Sequence, residues 1–204
     1  MSQTMFDELG SFSLPALSDC AGTSARIIHT LKPIRSDLKV AGPAYTVAGT
    51  AGDNLAMHRG MYNCPAGHVL VATVQGGNET GHWGGLMAIA AKHKGIRGLI
   101  IDGTIRDANE IADLPFPIFA LGVNPRKSIK SYRGEVNVPI TCAGVAIKPG
   151  DVVVGDEHGV MVLPADEVPA ILERAKQLQE REAQIIERIN QGESLSDIQG
   201  VDVS

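Results

Sequence analysis

Between His68 and Asp113 the chain alternates apolar runs with helix-forming runs, and glycines mark the joints. His68 to Val74 (HVLVATV) is continuously apolar and rich in β-branched residues, the pattern of a strand covered on both faces. The Gly-rich stretch Gly76 to Gly85 (GGNETGHWGG) then leads into Leu86 to His93, a good helix by propensity. Gly95 terminates that helix, and Gly98 to Ile101 (GLII) is another short buried strand. Asp102-Gly103-Thr104 turns the chain into a helix containing Arg106, Asp107 and Glu110. The order is βαβα. The crossover rule sets two such strands side by side and parallel, so both loops leave the sheet at its carboxyl end. In open α/β sheets, ligands gather there.

The flanking segments extend this α/β pattern. Ser13 to about Gly22 is expected to be a short helix, and Val40 to Ala51 (VAGPAYTVAGTA) a strand ending at the Gly52-Asp53 turn. Asn54 is placed as the N-cap of a helix running towards Met61 and broken at Pro65-Ala66-Gly67. From Phe116 the character changes. Pro117 to Ala120 is a strand and Asn124 to Gly134 (NPRKSIKSYRG) a polar loop. Val136 to Ile147, Asp151 to Gly155 and Gly159 to Leu163 give short strands with turns at Pro149-Gly150 and His158-Gly159. That half is expected to be antiparallel or mixed. Pro164 to about Gln191 is a long helix whose apolar stripe runs from Val168, Ile171 and Leu172 to Ile185, Ile186 and Ile189. The stripe drifts, so the far end should project or pack on another subunit. The last ten residues carry no strong signal. With no internal repeat and no linker, 204 residues suit a single domain over 1–204, with its core at about 13–163 and a C-terminal helix at 164–191.

Composition removes several function classes. Net charge is −5, and the 18 Lys and Arg residues are scattered without a basic block, which disfavours nucleic-acid binding. Aromatics, at 4%, are too sparse for a base-stacking platform. Cys20, Cys64 and Cys142 are odd in number and far apart, with no CxxC, so neither a disulfide framework nor a structural zinc site is supported. No signal peptide is visible and no apolar run approaches the ~18 residues of a membrane span. A cytoplasmic protein without a membrane partner is expected.

The segment from Asp102 to Glu110 (DGTIRDANE) concentrates three carboxylates and one guanidinium at a strand's carboxyl end. Hard divalent cations bind one or two carboxylates and keep several waters, while an adjacent Arg can hold a carboxylate or oxyanion. The competing explanation is local. Asp107 and Glu110 are three apart at a helix start, which is also the spacing of a capping box. Gly84, Gly85, Leu86 and Met87 open the preceding helix, where free backbone N–H groups make an anion site. The same glycines also suit a flexible turn. No Gly-Lys-Ser/Thr or GxGxxG spacing occurs, so this is neither a P-loop nor a dinucleotide fingerprint. His29, His58, His68, His82, His93 and His158 show no HxH or HExxH spacing, and His82 is expected at the surface or behind the site. A GxSxG nucleophile elbow is also missing.

Gly85, twenty residues, Arg106-Asp107, two residues and Glu110 together resemble the Gly–20–Arg-Asp–2–acid pattern of RraA-like proteins. That family includes 4-hydroxy-4-methyl-2-oxoglutarate aldolases, oxaloacetate decarboxylases and the regulator of ribonuclease activity A. Gly42 to Val47 followed by Gly52-Asp53-Asn54, Pro65 to Val71, and Lys148 to Asp156 with Gly159-Val160 resemble further family segments. The resemblance spans roughly Ser13 to Arg188. His68 stands where an acid is usual, and Gly85 where some aldolases carry one.

The resemblance implies a swivelling β/β/α fold of the phosphohistidine-domain type, with mixed sheets, assembled as a homotrimer or hexamer. It implies Asp107 as the direct Mg²⁺ or Mn²⁺ ligand, Arg106 on the substrate oxygen, and the Gly84 to Met87 amides on the pyruvyl carboxylate. With Gly85 lacking an acid, Glu110 or an acid from a neighbouring subunit is left to complete the site. The implied chemistry is a metal-dependent aldolase reaction. A base, for which metal-bound water is one candidate, takes the 4-hydroxyl proton, C3–C4 breaks and pyruvate enolate leaves; oxaloacetate would lose CO₂ through the same enolate. The alternative is a non-catalytic regulator that binds a ribonuclease. A methyltransferase, a label also attached to such sequences, lacks a glycine-rich cofactor loop after the first strand.

Overall fold

The structure is a computed structural model that describes residues 1–76 and 78–202. Two short helices open the chain. In α1 (Gln3–Leu9) the Ser2 hydroxyl accepts the Met5 N–H, and in α2 (Leu14–Ala21) the Ser13 hydroxyl accepts the Ala16 N–H. Strands β1 (Arg26–Ile28), β2 (Lys32–Pro33) and β3 (Val40–Ala48) follow, then α3 (Leu55–Asn63), β4 (Val69–Thr73), α4 (Gly85–His93) and β5 (Gly98–Asp102). Next come β6 (Thr104–Ile105), α5 (Ala108–Ala112), β7 (Ile118–Ala120), β8 (Gly122–Val123) and β9 (Glu135–Val136). The chain closes with β10 (Ile140–Cys142), β11 (Val145–Ile147), β12 (Val152–Asp156), β13 (Gly159–Leu163), α6 (Val168–Asn190) and α7 (Leu195–Gln199).

The main sheet runs β1-β13-β12-β3-β4-β5-β7-β2, with β9 added beside β3. Strand β3 joins its two characters. Val40 to Pro43 pair antiparallel with β12, and Ala44 to Ala48 pair parallel with β4. From β3 through β4, β5 and β7 every neighbour is parallel; from β3 through β12, β13 and β1 every neighbour is antiparallel. The expected βαβ unit is present, with Val69 to Thr73 in register against Gly98 to Asp102. The α/β class, mixed sheet and long C-terminal helix are therefore the observed architecture.

Strand alternation sorts the core into three layers. Leu70, Ala72, Leu99 and Ile101 face Met57, Met87, Ala88 and Ala91 on α3 and α4. Their neighbours Val69, Val71 and Ile100 point the other way, into a layer with Val153, Val160, Val162, Phe119 and Ile147. Val152, Val154, Met161 and Leu163 turn outward against α1, α2 and the first turns of α6. Glycine makes the middle layer possible. A Cβ on Gly155 would lie 2.5 Å from the Phe119 ring, so the strand must be bare where that ring is seated.

Two features depart from the local expectations. The helix after β5 begins only at Ala108, leaving Arg106 and Asp107 in the connection before it. Helix α1 and helix α7, capped by the Ser194 hydroxyl, lie in segments whose short periodicity gave no signal. In α6, by contrast, the drifting stripe has the expected outcome: the buried residues are Val168, Ile171, Leu172 and Ala175, while Ile186 and Ile189 are exposed, so its second half projects.

Candidate active site

The loops leaving the carboxyl ends of β3, β4 and β5 meet at one end of the sheet, and the loop after β8 closes over them. The Gly-rich loop is the centre of this stack. The Gly81 N–H donates to Arg126 O at 2.8 Å, the His82 N–H to Thr104 O at 2.9 Å, and the Arg106 N–H to Trp83 O at 2.8 Å. Such close approach excludes side chains. A Cβ on Gly81 would lie 2.6 Å from Asn124 O, and one on Gly84 would lie 2.7 Å from Asp107 Oδ2. Beneath the loop the Ser128 hydroxyl donates to Gly81 O, the Thr104 hydroxyl donates to Thr80 O, and the Thr80 and Ser128 hydroxyls lie 2.8 Å apart. Gly77, part of the stretch singled out in the sequence, lies outside the described residues.

Asp107 decides between the two explanations of its spacing with Glu110. Its backbone is left-handed (φ 58°, ψ 40°), and its side chain makes no cap bond to α5. The carboxylate instead reaches the start of α4, where Oδ2 accepts the Gly85 N–H at 3.1 Å and lies 3.4 Å from Arg106 Nε. The capping box is absent because a left-handed residue at that position aims its side chain away from its own helix. Both contacts fall on Oδ2, and Oδ1 has no hydrogen-bond partner among the described residues. Glu110 is exposed and outside the cleft wall, and its Cβ would lie 3.6 Å from a Cβ placed on Gly85. Asp102 is engaged elsewhere, accepting the Ala143 N–H at 2.8 Å. Of the three carboxylates grouped by the sequence, only Asp107 enters the cleft.

The cleft has a volume of about 220 Å³. Gly84, Leu86 and Met87 at the start of α4 form one side, with Arg106 and Asp107 beside them. The Gly85 N–H is taken by Asp107, so the open amides are those of Leu86 and Met87, which lack backbone partners in the first helical turn. Lys127, Ser128 and Lys130 form the opposite wall, and Asn54 and His58 on one face of α3 complete it. Three cations face one carboxylate, a balance that suits a small polyanionic ligand.

These last five residues were missed in the sequence. The Asn124 to Gly134 loop joins the site through Asp53, whose buried carboxylate accepts the Leu55, Ser131 and Tyr132 N–H groups. Burial alone would raise the Asp53 pKa, but those three backbone donors outweigh it and hold the carboxyl below its ordinary range. The available signal for α3 was its Asn-x-x-x-His spacing just after a strand's carboxyl end. His82 does lie behind the site: it is fully buried, its Nε2 accepts the Gly52 N–H, and burial lowers its pKa. Burial pushes the Cys64 and Cys142 thiols up to about 12, so neither is a ready nucleophile.

The sequence profile of the RraA-like family, described as Aldolase/RraA, matches residues 7–162. The chain belongs to this family. A Halalkalibacterium halodurans protein provisionally named 4-hydroxy-4-methyl-2-oxoglutarate aldolase is 38% identical over 182 residues, covering 88% of this chain and 87% of that one. An uncharacterized protein from Pseudomonas syringae pv. tomato superposes with a TM-score of 0.84 at 26% identity, covering 99% of this chain and 95% of its own. The RNA-processing inhibitor RraA from Thermus thermophilus superposes with a TM-score of 0.69 at 30% identity, covering 75% of this chain and 93% of its own. Helix α6 lies beyond the matched profile.

The donor chemistry of this RraA-like cleft fits a hard divalent cation. Asp107 offers one open carboxylate oxygen in a half-exposed setting, and Mg²⁺ or Mn²⁺ takes one or two carboxylates and retains water. Zinc would require three or four protein ligands, which this cleft does not hold. Among the described residues the one cluster of three ligand-type side chains is Asp156, Glu157 and His158, outside the cleft. There Asp156 is already committed, accepting the Leu14 N–H and the His158 N–H, each at 2.8 Å.

Proposed function

We propose that this RraA-like protein is a divalent-metal-dependent lyase. It would cleave C3–C4 of 4-hydroxy-2-oxo acids such as 4-hydroxy-4-methyl-2-oxoglutarate to release pyruvate, and decarboxylate oxaloacetate through the same enolate. The observation that carries this reading is the Asp107 carboxylate held by the Gly85 N–H, with the open Leu86 and Met87 amides and the Arg106 guanidinium beside it. The amides bind the substrate's 1-carboxylate at the positive end of α4. Arg106 faces the 2-oxo oxygen and stabilises the charge that develops there as C3–C4 breaks. Lys127 and Lys130 on the opposite wall take the distal carboxylate. A Mg²⁺ or Mn²⁺ ion held by Asp107 would supply Lewis-acid polarisation of the 2-oxo group. Glu110, outside the cleft in the single chain, acts only if a neighbouring subunit brings it into play.

The relative named as an aldolase supports the lyase, and the Thermus relative described as an RNA-processing inhibitor supplies the rival, a protein-binding regulator. Pyruvate release from 4-hydroxy-4-methyl-2-oxoglutarate and from oxaloacetate, with Mg²⁺ or Mn²⁺ and then with EDTA, separates them. EDTA-sensitive pyruvate is expected from both substrates. Folded, metal-supplied protein that releases none from either would favour the regulator. No helix among the described residues is long and apolar enough to cross a membrane.

A further inference from the structure

Cleavage of a 4-hydroxy-2-oxo acid needs a group that accepts the 4-hydroxyl proton, and the roles proposed above for Asp107, Arg106, Lys127, Lys130 and the α4 amides leave that proton without one. We propose that His58 is that base. The assignment rests on the lyase function proposed above and names a residue for the one step left without a group.

Four observations support it. His58 lines the cleft one helical turn after Asn54, so both project from one face of α3. The other ionisable groups in the wall are Arg106, Lys127, Lys130 and Asp107. The first three are cations, and Asp107, with Oδ2 held by the Gly85 N–H and Arg106, has its open Oδ1 assigned to the metal in the proposed function. The imidazole has no hydrogen-bond partner among the described residues, so neither ring nitrogen is committed to another group. His82, by contrast, is sealed behind the Gly-rich loop and spends its Nε2 on Gly52. Finally, partial burial first and the Lys130 charge second lower the His58 pKa from 6.5, so the ring is neutral and basic at pH 7.

The step balances without an oxidant or reductant. The proton on the 4-hydroxyl passes to an imidazole nitrogen, and the C4–O bond becomes a carbonyl. The C3–C4 bond breaks, and its electron pair enters the C2–C3 bond, leaving negative charge on the 2-oxygen beside Arg106. The imidazolium then returns the proton to C3, giving pyruvate. Oxaloacetate decarboxylation forms the same enolate but has no hydroxyl proton to remove.

That difference supplies the test. His58→Gln and His58→Asn, assayed with saturating Mg²⁺, should lose roughly 10²- to 10⁴-fold in cleavage of 4-hydroxy-4-methyl-2-oxoglutarate, the usual share of a general base. Oxaloacetate decarboxylation should fall far less, within about fivefold on the same reasoning. The acid limb of wild-type kcat/KM for cleavage should titrate below 6.5 and be lost in both variants. Trp83 is the sole tryptophan and its carbonyl holds the Arg106 N–H, so quenching of its emission by pyruvate reports site integrity independently of turnover. Unchanged cleavage, or parallel losses in both reactions with weakened pyruvate binding, would overturn the assignment while the lyase stands. Wild-type protein that releases pyruvate from neither substrate, or from oxaloacetate alone, overturns the hydroxyl chemistry and the base with it.

Discussion

Asp107 occupies backbone space that costs a non-glycine residue about 1–2 kcal/mol, and although its carbonyl accepts the Ile111 N–H, its side chain makes no cap bond to α5 that would offset the cost. The conformation is instead what carries its carboxylate over to α4, as expected where strain is tied to function. Asp107→Gly should therefore change stability by no more than about 1 kcal/mol while reducing metal-dependent pyruvate release at least about a thousandfold. Thermal melts and turnover of the same preparation check both halves. Two adjacent glycines give a sharper contrast. A Cβ on Gly84 meets Asp107 Oδ2 at 2.7 Å, whereas one on Gly85 meets its nearest neighbour at 3.6 Å. Gly84→Ala should displace the carboxylate and lower kcat/KM by about a hundredfold or more, and Gly85→Ala should cost far less, since it retains the N–H that Asp107 uses. Asp53 adds a prediction in pH. Its folded pKa is depressed, so its stabilisation is complete above the unfolded value near 3.8 and is lost as pH falls through the lower folded value. Asp53→Ala strands three backbone donors and should cost roughly 3 kcal/mol at pH 7. Denaturation as a function of pH should show the variant's deficit shrinking in strong acid; a constant deficit would assign the loss to packing instead.

At the scale of elements, helix α3 shows how the fold aims its side chains. A Cβ on Gly60 would lie 2.3 Å from Val47 Cγ2, so α3 lies against β3 at a distance only glycine permits. Gly60→Ala should destabilise by about 1–3 kcal/mol, measurable as a lowered denaturation midpoint, and should loosen the helix that carries Asn54 and His58. How far such elements could be read in advance depended on whether their signal was local. Strands β4, β5, β12 and β13 are covered on both faces, so unbroken apolar runs announced them, and Ser13 capped α2 where its type predicts. The Arg106-Asp107 pair was legible as a candidate because carboxylates and a guanidinium cluster at a strand's carboxyl end and because family-like spacing singled it out. The orientation of Asp107 was not, because three-residue spacing to an acid is the same whether φ is negative or positive. Lys127, Ser128 and Lys130 were illegible for a different reason. Their loop reaches the cleft through bonds from Asp53 to Ser131 and Tyr132, and from Ile129 to Gly52, across nearly eighty positions of chain. No window of sequence contains both ends.

For the whole molecule, the cleft's surroundings bear on how many chains make one working site. Leu86 is 84% exposed at the cleft rim, and Ile129 and Tyr132 on the facing loop are 63% and 52% exposed. Large exposed apolar side chains on the two elements that wall a polar, cationic cleft are costly to leave in water and suit coverage by another surface. The projecting half of α6 adds Ile186 and Ile189, also exposed. A second copy of the chain is the economical cover, in the trimer or paired trimer implied by the family pattern. Light scattering after size exclusion should give three or six times the 21.5 kDa chain mass. Mass alone does not show that the neighbour takes part in the chemistry, but dilution does. If the site is shared, specific activity falls on dilution in step with the loss of assembled mass, and added protein restores both. Activity per chain that stays constant into the monomer range would mean that one chain holds a complete site, and the exposed rim would then have to be explained by a different partner.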